Sequence, residues 1–287
     1  MRFRFLGTGT SAGIPAIACD CAVCASVDPR DQRLRAGASL EFRDAGGRER
    51  VLLIDATPDL RAQALAARLA RCDAVLFTHN HVDHTFGVDE LRRFNLAQGG
   101  PVEVYAEARV MDHLRRVYQH IFQAGANVNP SFVASLLPRE IEPGRALELF
   151  SVRVVPIRLL HGRLPILGFR VEAAPALERA AGLDPGTSPF PLAYCTDVSG
   201  IPPESWRQLA GLSTLVLDAL RHRAHPTHFT LGQAVAIAHE AGARATYFTH
   251  MAHDLGHAQT QATLPPGMYL AYDGLVLQAA PRGPAGP

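Results

Sequence analysis

Apolar positions along the chain fall into two rhythms. Short alternating or unbroken apolar runs predict strands at FRFLG (3–7), ASLEF (38–42), VLLID (51–55), AVLFT (74–78), VEVYA (102–106) and VRVVPI (152–157). GFRVE (168–172), LAYCTD (192–197), TLVLDA (214–219), ATYFTH (245–250) and YLAYDGLVLQ (269–278) continue the series. Helical spacing covers 59–70, 88–97, 107–123, 203–210 and 231–241, the last opened by Thr230 as a cap and stopped by Gly242. Strands interleaved with helices predict an α/β fold.

An internal echo sharpens that expectation. AVLFTHNHVDH (74–84) and ATYFTHMAHDL (245–255) both run from an apolar strand into Phe-Thr-His, with a second histidine two or three places on. Two strands ending in the same chemistry predict a sandwich of two related αβ halves, with a site where strand ends converge. Residues 107–145 read as a helical insertion that roofs the site, 173–191 as a surface loop, and 281–287 (PRGPAGP) as a flexible tail on a single domain of 1–280.

Composition narrows the partners. The 287 residues are 47% hydrophobic and 19% charged, and 28 Lys+Arg against 27 Asp+Glu leave a net charge of +1. No bulk field advertises nucleic acid or an anionic membrane, and no apolar run approaches spanning length. The expectation is a cytoplasmic protein acting on a small molecule. Five cysteines are an odd count, with Cys19, Cys21 and Cys24 bunched together, which fits a metal cluster better than a disulfide framework. The alternative is a simple thiol cluster of a reducing compartment. Cys72 and Cys195 lie in apolar contexts as packing residues.

The densest chemistry follows the strand at 74–78. His79, His81, Asp83 and His84 place four ligand-type side chains in six positions of a strand-end loop, where backbone freedom lets them share one cleft. Neutral imidazoles with a carboxylate suit zinc, manganese or iron, whereas calcium prefers oxygen alone. The three cysteines need a fourth ligand to close a tetrahedral zinc site. His253, on the loop after the echo strand, is the candidate, and His257 is its local competitor.

THNHVDH (78–84) resembles the signature of the metallo-β-lactamase superfamily. The resemblance implies a four-layer αββα sandwich holding two zinc or manganese ions: His79, His81 and His161 on one, Asp83, His84 and His250 on the other, Asp197 bridging. The superfamily's redox branch carries glutamate where this chain has His81, so hydrolysis by a metal-bridging hydroxide is implied. Asp83 would help orient that nucleophile. The Cys-x-Cys-x-x-Cys loop after GTGTSAGIP (7–15), the pair His250 and His253, and the closing YDG (272–274) together resemble the phosphoribosyl cyclic phosphate phosphodiesterases and their relatives. That family implies a structural zinc on the cysteine cluster and a homodimer. THFT (227–230) resembles a histidine motif that introduces a helix in these enzymes and in tRNA 3′-processing endonucleases, making His228 the proton donor to the leaving oxygen.

Several residues stay open. Asp55 is a partner of a ligand imidazole or a strand-end turn residue, and Asp218 is a candidate to orient His228. Arg92 or Arg93 either meets phosphate or, like most helix arginines, faces water; the GTGTS amides (7–11) either lie near an anion or form a tight turn; His222 and His225 read as solvated or loop-stabilising. The expected function is metal-dependent hydrolysis of a small cyclic phosphate or phosphodiester. The rivals are a lactone, ester or thioester hydrolase, and a non-hydrolytic metalloprotein related to pyrroloquinoline quinone biosynthesis. tRNA processing is disfavoured because no basic arm is present.

Overall fold

The apolar runs pair into two sheets in a computed structural model that describes residues 1–123, 125, 128, 132–172 and 175–281. In chain order the strands are β1 (Arg2–Gly7), β2 (Gly37–Arg43), β3 (Glu49–Ile54), β4 (Ala74–Leu76), β5 (Val102–Ala106), β6 (Leu136–Glu140) and β7 (Leu147–Leu149). β8 (Val152–His161), β9 (Leu164–Glu172), β10 (Leu192–Cys195), β11 (Thr214–Asp218), β12 (Ala245–Thr249), β13 (Met268–Leu270) and β14 (Val276–Gln278) follow. One sheet has the order β14-β1-β2-β3-β4-β5-β6, the other β13-β12-β11-β10-β9-β8-β7.

Period-two alternation decides what each face meets. Phe3, Phe5, Leu40 and Leu52 of the first sheet interlock with Phe169, Leu192, Tyr194 and Val216 of the second in a dry core between them. The opposite face of the first sheet, with Leu53, Val75 and Val104, is covered by helices α1 (Leu60–Ala67), α3 (Leu91–Gln98) and α4 (Ala108–Val117). Leu215, Leu217 and Phe248 on the far face of the second sheet lie under α8 (Leu231–Ala241). The result is a four-layer αββα sandwich. α8 begins where expected: Thr230 accepts from the Gln233 amide while the Gln233 side chain accepts from the Thr230 amide, and Gly242 closes the helix in the left-handed conformation.

Strands β3 to β6 are mutually parallel, as are β10 to β13. Their carboxyl ends meet along one edge of the sandwich. Here the chain makes the sharp turns that carry the polar residues.

Two expectations change. YLAYDGLVLQ is not one strand: its first half is β13 of the second sheet, its last is β14 of the first, and a turn through Gly274 at φ +86° crosses between them. Asp273 in that turn accepts from the Thr8 hydroxyl and the Leu34 amide, both at 2.7 Å. The 107–145 segment is only partly helical. α4 and the short α5 (Gln119–Phe122) bury Val110, Met111, Leu114 and Ile121 in the outer core, and β6 then extends the sheet edge. Its contact with the polar edge is Tyr118, whose hydroxyl donates to the Thr85 carbonyl at 2.9 Å. The 173–191 segment contains the short α6 (Pro175–Ala180); residues 173 and 174 and all but the first residue of the expected tail (282–287) lie outside the described residues. Among the described residues no helix is long and apolar enough to cross a membrane.

Candidate metal centre

Each polar residue of the converging edge stands at or just past a strand end. Asp55 follows β3, His79 follows β4 by three residues, His161 ends β8, Asp218 ends β11, and Asp197 and His250 come directly after Cys195-Thr196 and Thr249. Asp55, Asp197 and His250 adopt φ of +64°, +58° and +59°. An L-residue enters that region at a cost of roughly 1–2 kcal/mol, a strain that buried neighbours must offset and that clusters at functional sites. His81, Asp83 and His84 lie on or beside the four-residue helix α2 (Val82–Thr85).

Two sets of donor atoms result. His79, His81 and His161 offer ligand atoms within 4.8 Å of one another, as do Asp83, His84, Asp197 and His250. Asp197 also groups with His161 and His228, so it sits between the sets. His84 Nε2 is 3.2 Å from carboxylate oxygens of both Asp83 and Asp197, and His250 Nε2 is 3.2 Å from Asp197. Yet the Nε2 atoms of His79, His84 and His250 are buried and make no hydrogen bond. Buried polar atoms that crowd together without bonding to one another are the arrangement of ligands about cations, because each would otherwise carry a desolvation cost of about 1–3 kcal/mol. The donor set therefore fits a pair of divalent ions of the kind that imidazole and carboxylate favour.

Ring orientation supports the same fit. Thr78 gives its hydroxyl proton to Asp55 at 2.9 Å, so its oxygen is left to accept from His79 Nδ1 at 2.9 Å. His161 Nδ1 donates to the Thr227 carbonyl at 2.7 Å, and His84 Nδ1 to Asp55 at 2.7 Å. In all three the Nδ1 proton is committed outward and Nε2 faces the cluster, the tautomer a metal ligand needs. Asp55 thus does hold a candidate ligand. Its other oxygen accepts from the Thr78 amide at 2.8 Å.

The electrostatics follow from burial and neighbours. Burial pushes His161 down to about 4 and His79 well below its ordinary value, which keeps both rings neutral. Burial also opposes charge on His250 and His84, but the carboxylates of Asp197, Asp83 and, respectively, Asp218 or Asp55 overcome it, lifting His250 to about 9 and raising His84 as well. In the absence of cations, protons on these rings balance the carboxylates.

His228 lies against the cluster, its ring centroid 4.6 Å from that of His161 and 4.8 Å from that of His250. Asp218, fully buried, accepts from His228 Nδ1 at 3.0 Å and from the Val198 amide at 3.1 Å. His225 is nearer than expected, 5.0 Å from His228 between ring centroids, and takes the Thr227 hydroxyl or its proton at 3.1 Å.

Cys19, Cys21, Cys24 and His253 form a second cluster: His253 Nδ1 lies 3.1, 3.6 and 3.4 Å from the three Sγ atoms. In a tetrahedral zinc site with Zn–S near 2.3 Å and Zn–N near 2.0–2.1 Å, sulfur and nitrogen stand about 3.5 Å apart. The donors fit. His257 is not among them; its amide donates to Asp31 at 2.7 Å and its ring lies against Tyr272.

Of the alternatives left open, the geometry takes the plainer ones. Arg92 pairs with Asp89 at 3.1 Å and Arg93 is exposed. The Gly9 and Thr10 amides are spent on the carbonyls of Leu34 and Met251, so GTGTS is a strap rather than an anion cradle. Gly7 and Gly9 permit its close approach, since a Cβ there would meet Arg35 O at 2.1 Å and Arg33 O at 2.8 Å. The threonines at 78, 196 and 227 were not anticipated as orienting residues. Thr78 and Thr196 directly precede His79 and Asp197, which is the pattern that marks them, whereas Thr227 acts on His161 through its backbone carbonyl, which any residue would supply.

Comparison with known proteins adds four findings. A family model described as the beta-lactamase superfamily domain matches residues 50–251. A crystal structure of a new diphosphatase from the PhnP family superposes with a TM-score of 0.81 at 39% identity, covering 96% of this chain and 97% of that one. Among curated proteins, the octanoyltransferase of Porphyromonas gingivalis is 35% identical over 278 residues, 96% of this chain and 51% of that protein; the chain spans about half its length. Coenzyme PQQ synthesis protein B of Methylorubrum extorquens is 28% identical over 230 residues, 76% of this chain and 72% of that protein.

Proposed function

Given that the chain belongs to the metallo-β-lactamase superfamily and, within it, resembles PhnP-family hydrolases along nearly its whole length, we propose that it is a dinuclear metal-dependent phosphodiesterase acting on a small cyclic phosphate or phosphodiester. His79, His81 and His161 would hold one cation, Asp83, His84 and His250 the other, with Asp197 shared. Two zinc or manganese ions there would polarise a phosphoryl oxygen and lower the pKa of water enough to supply a nucleophile at neutral pH. Cys19, Cys21, Cys24 and His253 would hold a third, structural zinc.

The observation that carries the reading is His228. It touches the donor cluster without being needed to complete either set, and Asp218 fixes its Nδ1, leaving Nε2 on the opposite side of the ring. A histidine so placed can deliver a proton to a departing oxygen. Asp55, Thr78 and Thr227 keep the ligand rings in register, and the Thr196 hydroxyl, bonded to Asp197 at 2.7 Å, steadies the shared carboxylate.

A diphosphate substrate is the second reading, favoured by the 39% identity to a PhnP-family diphosphatase. The octanoyltransferase name carries less weight, because that protein is about twice as long and its acyl chemistry can reside outside the shared half. The deciding experiment assays metal-restored enzyme side by side on a ribose cyclic phosphate, a dinucleoside diphosphate, bis(p-nitrophenyl) phosphate and a lactone. Chelator-sensitive turnover of a phosphoryl substrate is expected. Turnover of the lactone alone would replace this reading with carboxyl-ester hydrolysis.

A further inference from the structure

The loop from His250 to His257 belongs to two clusters at once. His250 stands among the histidines and aspartates; His253 stands among the cysteines. Between the two, the loop is gripped by Arg33, whose side chain is fully buried. The guanidinium donates from Nη1 to the Ala252 carbonyl at 3.3 Å and from Nη2 to the Leu255 carbonyl at 2.6 Å, bracketing His253 on both sides. Nη2 also donates to Asp31 Oδ1 at 3.1 Å, and that oxygen accepts the His257 amide at 2.7 Å.

The main chain of Arg33 faces the other way. It exchanges both hydrogen bonds with Ile14, each 2.8 Å, on the segment that leads into the cysteines. One residue therefore joins the thiol loop through its backbone to the histidine loop through its side chain. Burying a cation with a single carboxylate partner is expensive. Arginine suits the position because its planar fork spreads donors over Nη1 and Nη2 and so spans the Ala252 and Leu255 carbonyls and the Asp31 carboxylate, a wider reach than the single nitrogen of an ammonium group.

We infer that Arg33 is a positioning residue that couples the two clusters, so that filling either one raises the metal affinity of the other. The inference rests on reading both clusters as metal sites, as proposed above. The 250–257 loop has one arrangement that serves both. Whichever site fills first meets the entropic cost of ordering the loop, and the second ion binds to a loop already set. Linkage makes the effect reciprocal.

Cobalt(II) titration of the full chain tests this. Thiolate-bound cobalt absorbs strongly in the near ultraviolet by charge transfer and cobalt bound by nitrogen and oxygen does not, so the two sites are read separately in one sample. In the unaltered protein, filling the cysteine site should raise cobalt affinity at the histidine–aspartate site by about 5- to 150-fold. Cys21→Ser should remove that gain while Arg33 is intact. Arg33→Met should let both sites bind but shrink the gain below about twofold, with Arg33→Lys, which keeps the charge, falling between. Should Arg33→Met fail to fold, Arg33→Lys decides: full coupling in that variant overturns the role of Arg33. Affinities that are independent of each other in the unaltered protein overturn the coupling itself. Absence of the thiolate band altogether, or of any cobalt at the histidines, overturns the metal-site reading and the inference with it.

Discussion

Replacing Asp55 by Asn should weaken metal binding at the His84 side of the centre while leaving the fold intact. The Asp55 side chain is fully buried and only accepts: from the Thr78 amide at 2.8 Å, the Thr78 hydroxyl at 2.9 Å and His84 Nδ1 at 2.7 Å. An asparagine cannot match that pattern. If its carbonyl oxygen keeps the Thr78 amide, its NH2 confronts His84 Nδ1–H; if reversed, it confronts the backbone N–H. The cheaper escape is for His84 to shift its proton to Nε2, the atom facing the cluster, where it blocks a metal. A hydrogen bond to a charged group is worth about 1.5–3 kcal/mol. Lost on metal binding, that is roughly 10- to 100-fold in affinity, the same range seen when the partner of a ligand histidine is removed. Competition against a chromophoric chelator measures it, with the melting temperature of the metal-free protein as control. One of the two ions at the histidine–aspartate centre should be lost selectively. A folded Asp55→Asn variant that binds both ions as tightly as the unaltered protein would refute the role given to Asp55.

Further predictions follow the same logic. His228→Ala should lower kcat by about 10²- to 10⁴-fold on a ribose cyclic phosphate, whose alkoxide leaving group needs a proton, but by far less on bis(p-nitrophenyl) phosphate; equal losses on both would contradict proton donation. At about pH 7.5, metal binding should release protons from the raised His250 and His84, seen as a calorimetric heat that varies with buffer ionisation enthalpy. His250 is raised above the ordinary 6.5, so the stability its charge lends the metal-free protein is full below pH 6.5 and lost as pH rises through about 9, with His84 raised in the same direction, as melting temperatures against pH would record. Thr230→Ala removes the capping box of α8 and should cost about 0.5–2 kcal/mol by urea denaturation; no change would mean the cap is redundant.

Much of this architecture could be read from the chain because its local and tertiary signals agree. The limits of α8 were legible to the residue, since Thr230 and Gly242 carry cap chemistry that acts within one turn. β6 was not: LLPRE is almost wholly exposed, so no alternation marked it, and it is a strand only because β5 offers it an edge. The break in YLAYDGLVLQ escaped for a related reason. Both halves are apolar, and what divides them is the crossing between sheets pinned by Asp273, a long-range event. At the site, His79, His81, Asp83 and His84 announce themselves by density and His250 by the Phe-Thr-His echo, whereas His161 and Asp197 are legible only through family resemblance. Asp55 stays undecided in the sequence because its role depends on His84, 29 positions further along the chain. Arg33 carries no signal in QRLRAG, since the carbonyls it grips, at Ala252 and Leu255, lie more than two hundred residues away.

The central claim is that seven side chains between His79 and His250 hold two cations and the cysteine cluster a third. Anomalous X-ray scattering at the zinc absorption edge, on crystals of the zinc-loaded protein, tests it most directly. Three peaks are expected: one among His79, His81 and His161, one among Asp83, His84 and His250 with Asp197 between them, and one among Cys19, Cys21, Cys24 and His253. A map with a peak at the cysteines and none among the histidines would contradict it.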